Sequence, residues 1–334
     1  MRKLVGIVFI LTGVFILSSL TACGTKEKTS LTKITLNEVA HSIFYAPQYV
    51  AYEKGYFKDV GLDVHIVTGF GADKTMTALI SGDADIGFMG SEASIYQYNQ
   101  GNEDYAINFA QLTQRAGNFL VSRENTDSFQ WSELKGKQII GGRKGGMPQM
   151  ILEYVLKKNG LNPTTDVELI QNVDFANTAG AFAGGTGDYT VEFEPNATSL
   201  EQEGVGYVVS SLGIESGYVP YTAYCAKKSY IEKHSDIIQK FTNAIYKGQQ
   251  FVATHTPEEI AKVIKPQFPE TDLTTLTSII KRYAEQDTYK ENPMFEEESF
   301  ALLQDILKEA GELTNPVEYS TLVNTTFATQ AVSE

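Results

Sequence analysis

From Lys33 onward the chain alternates strand-like and helix-like segments, and this alternation restricts the fold more than any other feature of the sequence. "TKITLNEVA" (Thr32 to Ala40) alternates apolar and polar residues as a strand does, whereas Tyr45 to Lys54 sets Tyr45, Tyr49, Val50 and Glu53 at helical spacing. Leu62 to Val67 reads as a strand entered by a turn at Gly61, Asp73 to Ser81 as a helix, "DADIGFMG" (Asp83 to Gly90) as a strand and Glu92 to Asn99 as a helix. Strands separated by helices call for an α/β fold with a mostly parallel sheet, and such sheets bind ligands beyond the carboxyl ends of their strands.

A second run of the same kind starts near Asp127. It contains a strand at Gln138 to Gly141, a glycine-rich turn, a helix from Pro148 to Asn159 stopped by Gly160, a strand at Val167 to Gln171, a short helix at Asn177 to Phe182 and a strand at Tyr189 to Phe193. "ALISGDADIGFMGSEAS" at Ala78 and "AFAGGTGDYTVEFEPNA" at Ala181 share Ala, then Gly, then Asp at equal spacing before an apolar strand, which suggests two lobes on one plan. The last third is helical at Ser235 to Thr254, Thr256 to Ile264, Leu273 to Ala284 and Glu296 to Ala310, with Gly311 as a cap. A strand at Tyr221 to Ala226 carries the chain back to the first lobe. Two segments, near Phe119 to Ser122 and near Tyr221 to Tyr224, are then expected to cross between lobes and form a hinge.

The N-terminus has another character. Arg2 and Lys3 precede an uncharged apolar run, Leu4 to Leu17, of about 14 residues, too short to span a bilayer as a helix and suited to a secretory signal. Leu20-Thr21-Ala22-Cys23 resembles a bacterial lipobox, so residues 1–22 are expected to be removed, Cys23 lipidated and residues 23–32 left as a flexible tether. Of 27 Lys and Arg, 25 then remain against 41 Asp and Glu, a net charge of -16 that argues against nucleic-acid partners and anionic lipid headgroups. Cys225 is the other cysteine, so no internal disulfide or cysteine zinc site is expected.

"YAPQYVAYEKGYFKDVGLDV", "SGDADIGFMG", "GGRKGGMPQ" and "EFEPNAT" behind a lipobox resemble the substrate-binding lipoproteins of ABC importers, in the branch that includes thiamine-precursor, sulfonate and taurine binders and thiamine-pyrimidine-synthase-like proteins. The resemblance runs from Lys33 to the C-terminal helices. It implies a two-lobed type 2 periplasmic-binding-protein fold, each lobe a mostly parallel sheet flanked by helices, joined by a two-segment hinge. Lobe 1 is expected at residues 33–122 and 221–334, with the C-terminal helices, and lobe 2 at 123–220. It further implies a monomer that captures a small molecule by hinge closure, hands it to permease subunits, and is held by its lipid on the extracytoplasmic face of the cell membrane, with no catalytic residue, metal or cofactor.

The candidate ligand contacts lie at the carboxyl ends of the expected strands. In the first loop they are His41, Ser42, Phe44 and Tyr45, while Tyr49, Tyr52, Tyr56 and Phe57 read mainly as packing. In the second they are Gly69 and Phe70; in the third, Gly90, Ser91 and Glu92, with Ser91 able to cap the following helix. Glu92 is either a first-turn glutamate favoured by the helix dipole or a carboxylate accepting paired N–H bonds from a ligand. Glu192 and Glu194 pose the same choice from the other lobe, on one face if the strand persists that far. "GGRKGGMPQ" lacks the Gly-Lys-Ser/Thr of a phosphate loop, yet Gly145, Gly146 and Met147 with Arg143 or Lys144 could hold an anion. Tyr221 completes the set at the return strand.

Glu92, Glu192 and Glu194 with Phe44, Tyr45 and Phe193 favour a nitrogen heterocycle such as a thiamine-precursor aminopyrimidine over an aliphatic sulfonate or taurine, because a buried carboxylate opposes an anion; riboflavin stands as a further alternative of the same fold. An enzyme is disfavoured. The cysteine-rich motif of thiamine pyrimidine synthases is absent from Ala181 to Asn196, and neither Gly-x-Ser-x-Gly nor His-Glu-x-x-His occurs.

Overall fold

The computed structural model describes residues 30–126 and 128–333, so the expected signal peptide, Cys23 and nearly all of the tether lie outside the described residues. Among the described residues ten strands form two sheets of five: β1 (Thr32–Glu38), β2 (Leu62–Thr68), β3 (Ile86–Gly90), β4 (Ala106–Thr113), β5 (Asn118–Ser122), β6 (Gln138–Ile140), β7 (Glu168–Ile170), β8 (Tyr189–Phe193), β9 (Tyr207–Ser211) and β10 (Thr222–Lys227). The first sheet runs β2-β1-β3-β10-β4 and the second β7-β6-β8-β5-β9. Thr32, assigned to the tether, already belongs to β1 and pairs with Leu62.

Each sheet is parallel where its own strands meet and antiparallel where the crossing strand enters. In the first, β1 runs parallel to β2 and β3, and β10 antiparallel to β3 and β4. In the second, β6 runs parallel to β7 and β8, and β5 antiparallel to β8 and β9. The incoming strands start at the carboxyl ends of their neighbours: Thr222 opposite Gly90, Asn118 opposite Phe193. Both crossings therefore run along the edge where ligands bind such sheets. Phe119 to Ser122, expected as a crossing, is paired into the second sheet instead; the chain passes over at residues 114–117 and returns at 217–221. Residue spacing at the first crossing is tight, since a Cβ on Gly117 would lie 2.4 Å from the Phe44 ring.

Helices cover the sheets. Those that matter here are α1 (Ala46–Glu53), α2 (Ala72–Ser81), α3 (Glu92–Asn99), α4 (Met147–Lys158), α5 (Ser235–Thr254), α6 (Pro257–Ile264), α7 (Leu273–Glu285) and α8 (Glu297–Glu309). α5 buries Ile238, Phe241, Ile245, Gly248 and Val252, a stripe at helical period, and packs on α1. α6 opens on a capping box in which Thr256 Oγ1 accepts from the Glu259 N–H at 3.3 Å and Glu259 Oε2 accepts from the Thr256 N–H at 2.9 Å.

The C-terminal helices also reach the part of the chain that forms the second sheet. α7 packs on α6, and its Arg282 reaches Glu194 Oε1 at 2.6 Å and Glu201 Oε2 at 2.8 Å beside the second sheet. α8 packs on α4, where Lys157 Nζ donates to the Glu309 carbonyl.

Candidate functional site

Between the sheets lies a cavity of about 380 Å³ lined from both sides. The loop after β1 supplies His41, Ser42 and Tyr45, the loop after β2 Phe70 and Asp73, and the end of β3 Gly90 and Glu92. From the second sheet come Arg143, Gly146 and Met147 after β6, Asp174 and Asn177 after β7, and Phe193, Glu194 and Asn196 around the end of β8; Tyr221 and Thr222 come from the return crossing. Polar contacts join the two walls: Ser42 Oγ donates to the Glu194 carbonyl at 3.2 Å, and Arg143 Nη2 lies 4.0 Å from Asp73 Oδ1, while beside the cavity Tyr96 Oη donates to the Gly145 carbonyl at 3.2 Å.

Of the expected contacts, His41, Ser42, Tyr45, Phe70, Gly90, Glu92, Arg143, Gly146, Met147, Glu194 and Tyr221 line this cavity. Five do not. Phe44 is fully buried behind the wall, its ring within 5.2 to 5.6 Å of Tyr45, Tyr283, Phe193 and Tyr221, so it supports the lining aromatics. Gly69 faces Thr75 and Asn37. Ser91 is no side-chain cap; its Oγ donates to the Pro220 carbonyl at 2.7 Å and pins the return crossing. Gly145 lines an adjoining cavity of about 630 Å³ between α2 and α3. Glu192 sits inside the second lobe, where Thr190 Oγ1 donates at 2.7 Å and Thr178 Oγ1 at 3.1 Å; β8 ends at Phe193, so Glu192 and Glu194 do not act as a pair.

The three glutamates thus have three fates. Burial pushes the Glu192 carboxyl up to about 7 against the pull of Thr190, Thr178 and Asn196. Glu194 is consumed: Oε1 meets Arg282, Oε2 accepts from the Thr198 N–H at 2.9 Å, and its own N–H donates to Tyr283 Oη at 3.1 Å. Glu92 is the open one. It is 4% exposed, burial pushes its carboxyl up to about 7 against the N–H groups of Glu92, Ala93 and Met147 and the charge of Arg143, and its Oε2 has no hydrogen-bond partner among the described residues. Its carboxylate folds back over Gly90, where a Cβ would lie 2.1 Å from Oε2. The Tyr221 hydroxyl nearby is also buried and without a partner among the described residues; burial, with Tyr45 and Glu92 close, raises its pKa.

Sequence reasoning passed over Glu38. Fully buried at the end of β1, it accepts from His41 Nδ1 at 2.9 Å, Gln48 Nε2 at 2.7 Å, Tyr49 Oη at 2.8 Å and Thr68 Oγ1 at 3.2 Å. His41 Nε2 faces the Gln267 carbonyl at 2.9 Å and its ring stacks on Phe268. Burial opposes a charged imidazole, but the Glu38 hydrogen bond, the Gln267 carbonyl and the Glu38 charge outweigh it and raise the His41 pKa. The available signal was a glutamate in a strand register otherwise buried. Among the described residues no group of three or more His, Cys, Asp or Glu is placed to hold a metal.

The family model described as NMT1/THI5 like matches residues 43–260. The putative binding protein YtlA of Bacillus subtilis (strain 168) is 50% identical over 321 residues, 96% of each chain. Among solved structures, the alkanesulfonate-binding protein SsuA of Xanthomonas axonopodis pv. citri superposes with a TM-score of 0.71 at 14% identity, over 89% of this chain and 99% of that one. The nitrate-binding protein NrtA of Synechocystis PCC 6803 superposes with a TM-score of 0.73 at 16% identity, over 91% and 89%.

Proposed function

The chain belongs to the NMT1/THI5-like family; from that premise we propose that it is a solute-binding protein of the ABC-importer type rather than an enzyme, and that its solute is a planar nitrogen heterocycle of the aminopyrimidine kind. The observation that carries this reading is Glu92. A buried carboxyl with a pKa of about 7 and an oxygen without a partner is a costly feature for a protein that only has to fold. A ligand that presents an amino group beside a ring nitrogen repays that cost, because the carboxyl accepts from the amino group while it shares or donates a proton to the ring nitrogen. Tyr45, Phe193 and Tyr221 supply flat apolar surface around it.

A sulfonate or a nitrate, the ligands for which those two structural relatives are named, places an anion against this carboxyl. Arg143 offsets one charge, yet its guanidinium is half exposed and 4.0 Å from Asp73. The balance opposes an anion. In this reading the chain works at the extracytoplasmic face of the membrane, held by a lipid on Cys23, and delivers its solute to permease subunits. Replacing Cys23 with Ser should then move the protein out of the membrane fraction.

The test is a thermal-shift titration with 4-amino-5-hydroxymethyl-2-methylpyrimidine, riboflavin, taurine, an alkanesulfonate and nitrate. The pyrimidine should raise Tm by an amount that grows with its concentration, and Glu92→Gln should abolish most of that rise. A response to the sulfonate alone, strengthened by Glu92→Gln, would reject the heterocycle.

A further inference from the structure

Phe70 stands between β2 and α2 with φ 57°, in the left-handed region that bulky L residues seldom adopt. Among the described residues other than glycine, only Asp287 shares a positive φ. Phe70 is 68% exposed, more than any other large apolar residue described, and it lines the cavity. The loop enforces this. Gly69 N–H donates to the Glu38 carbonyl at 2.8 Å and Gly71 N–H to the Val39 carbonyl at 3.0 Å, so the backbone on either side of Phe70 is tied to the end of β1. A Cβ on Gly69 would lie 2.4 Å from Thr75 Oγ1, and Gly71 has φ 148°, so neither neighbour accepts another residue easily.

A strained backbone and an exposed aromatic both work against the ligand-free fold, and glycine or asparagine would serve the turn better. Backbone strain at a cleft points to function when the surrounding structure holds it in place, as here. The remaining aromatics of the cavity, Tyr45, Phe193 and Tyr221, are buried in the wall, whereas Phe70 stands free to approach a ligand from the solvent side. We propose that Phe70 is a specificity-determining residue that stacks on the outer face of a planar ligand whose polar edge is held by Glu92, favouring flat aromatic solutes over tetrahedral anions of similar size. The proposal rests on the heterocycle reading above. A ring laid on a heterocycle contributes attraction that a sulfonate or nitrate cannot receive, and it covers the exit, so its effect falls mainly on dissociation.

The experiment is stopped-flow and equilibrium binding of 4-amino-5-hydroxymethyl-2-methylpyrimidine and of taurine to the wild-type chain, Phe70→Asn, Phe70→Leu and Phe70→Trp. Phe70→Asn should raise the Tm of the ligand-free protein, since asparagine tolerates the left-handed backbone, and weaken the pyrimidine tenfold or more through faster dissociation. Phe70→Leu should weaken it similarly without the gain in Tm. Phe70→Trp should keep the affinity and report binding by fluorescence over the sole natural tryptophan, Trp131. Pyrimidine affinities of Phe70→Asn and Phe70→Leu within twofold of wild type overturn the stacking role and leave the heterocycle reading intact. Absence of pyrimidine binding by the wild-type chain, with taurine bound, overturns both.

Discussion

Asp85 and Asp188 hold the same position in the two sheets. The Asp85 carboxylate accepts from the Thr35 N–H at 2.8 Å while its own N–H donates to the Thr35 carbonyl at 3.0 Å; Asp188 does the same with Gln138, at 2.8 Å in both directions. Each locks the third parallel strand of its sheet onto the first, just before the strand that leads to the cleft.

Replacing either aspartate with Ala should therefore cost about 1.5 to 3 kcal/mol, the range for a hydrogen bond to a charged group. The two sites sit in separate sheets, so the double variant should be additive within about 0.5 kcal/mol. Urea unfolding monitored by circular dichroism checks both figures; strong non-additivity would mean that the two sites are energetically coupled.

The pH dependence of stability should carry the mark of Glu92. Its folded pKa of about 7 lies above the ordinary 4.5, so the folded state binds more protons and the contribution is complete below 4.5 and lost as pH rises to about 7. That interval corresponds to about 3 kcal/mol. Glu92→Gln should flatten part of the slope and raise stability at pH 8 relative to wild type, while Glu192, displaced the same way, keeps its own share. Chemical unfolding at pH 5 and pH 8 decides it. An equal effect at both values would show that the Glu92 carboxyl is ionised throughout.

His41 should act at slightly higher pH. Its raised pKa means that the Glu38–His41–Gln267 bridge stabilises the fold fully below about 6.5 and less as pH rises through the folded value. His41→Gln should lose that dependence, read as the difference in Tm between pH 6 and pH 8.5. NMR titration of the His41 ring would show a midpoint above 6.5 if this is right.

Arg282 should be the costliest surface-facing residue to remove. It is a third exposed, but its partner Glu194 is fully buried, so Arg282→Leu leaves a buried carboxylate without its counter-charge at a cost of about 3 kcal/mol. Adding Glu194→Gln should recover part of it, measurable as a double-mutant cycle. Because the Glu194 N–H and carbonyl meet Tyr283 and Ser42, Arg282→Leu should also weaken ligand binding without touching the ligand.

Much of the scaffold was legible beforehand. The helices at Glu92–Asn99 and Ser235–Thr254 and the strand at Tyr189–Phe193 have the bounds that periodicity indicates, and the spaced Ala, Gly and Asp marked the duplicated aspartates. No element was assigned to Ala106–Thr113 or Tyr207–Ser211. The former is buried on both faces but for one residue and so has no alternation, and the latter is half-buried throughout and so has no contrast. In the site, strand-end loops identified the neighbourhood of the cavity but not which side chains turn inward. Phe44 and Tyr45 are adjacent aromatics, and only the ring of the second reaches the lining.

The sequence by itself determined an acidic α/β chain of two similar lobes, whose strand ends carry aromatics and carboxylates, because periodicity and turn residues act over a few positions and are written locally. Only the tertiary structure decided what those carboxylates do. Glu192 is taken up by neighbouring hydroxyls, Glu194 by an arginine 88 residues away, and Glu38 by a shell that includes His41, Gln48, Tyr49 and Thr68, whereas Glu92 keeps an oxygen without a partner among the described residues. Charge compensation depends on distances in space between groups remote in the chain, and no local pattern encodes which carboxylate is left without a partner.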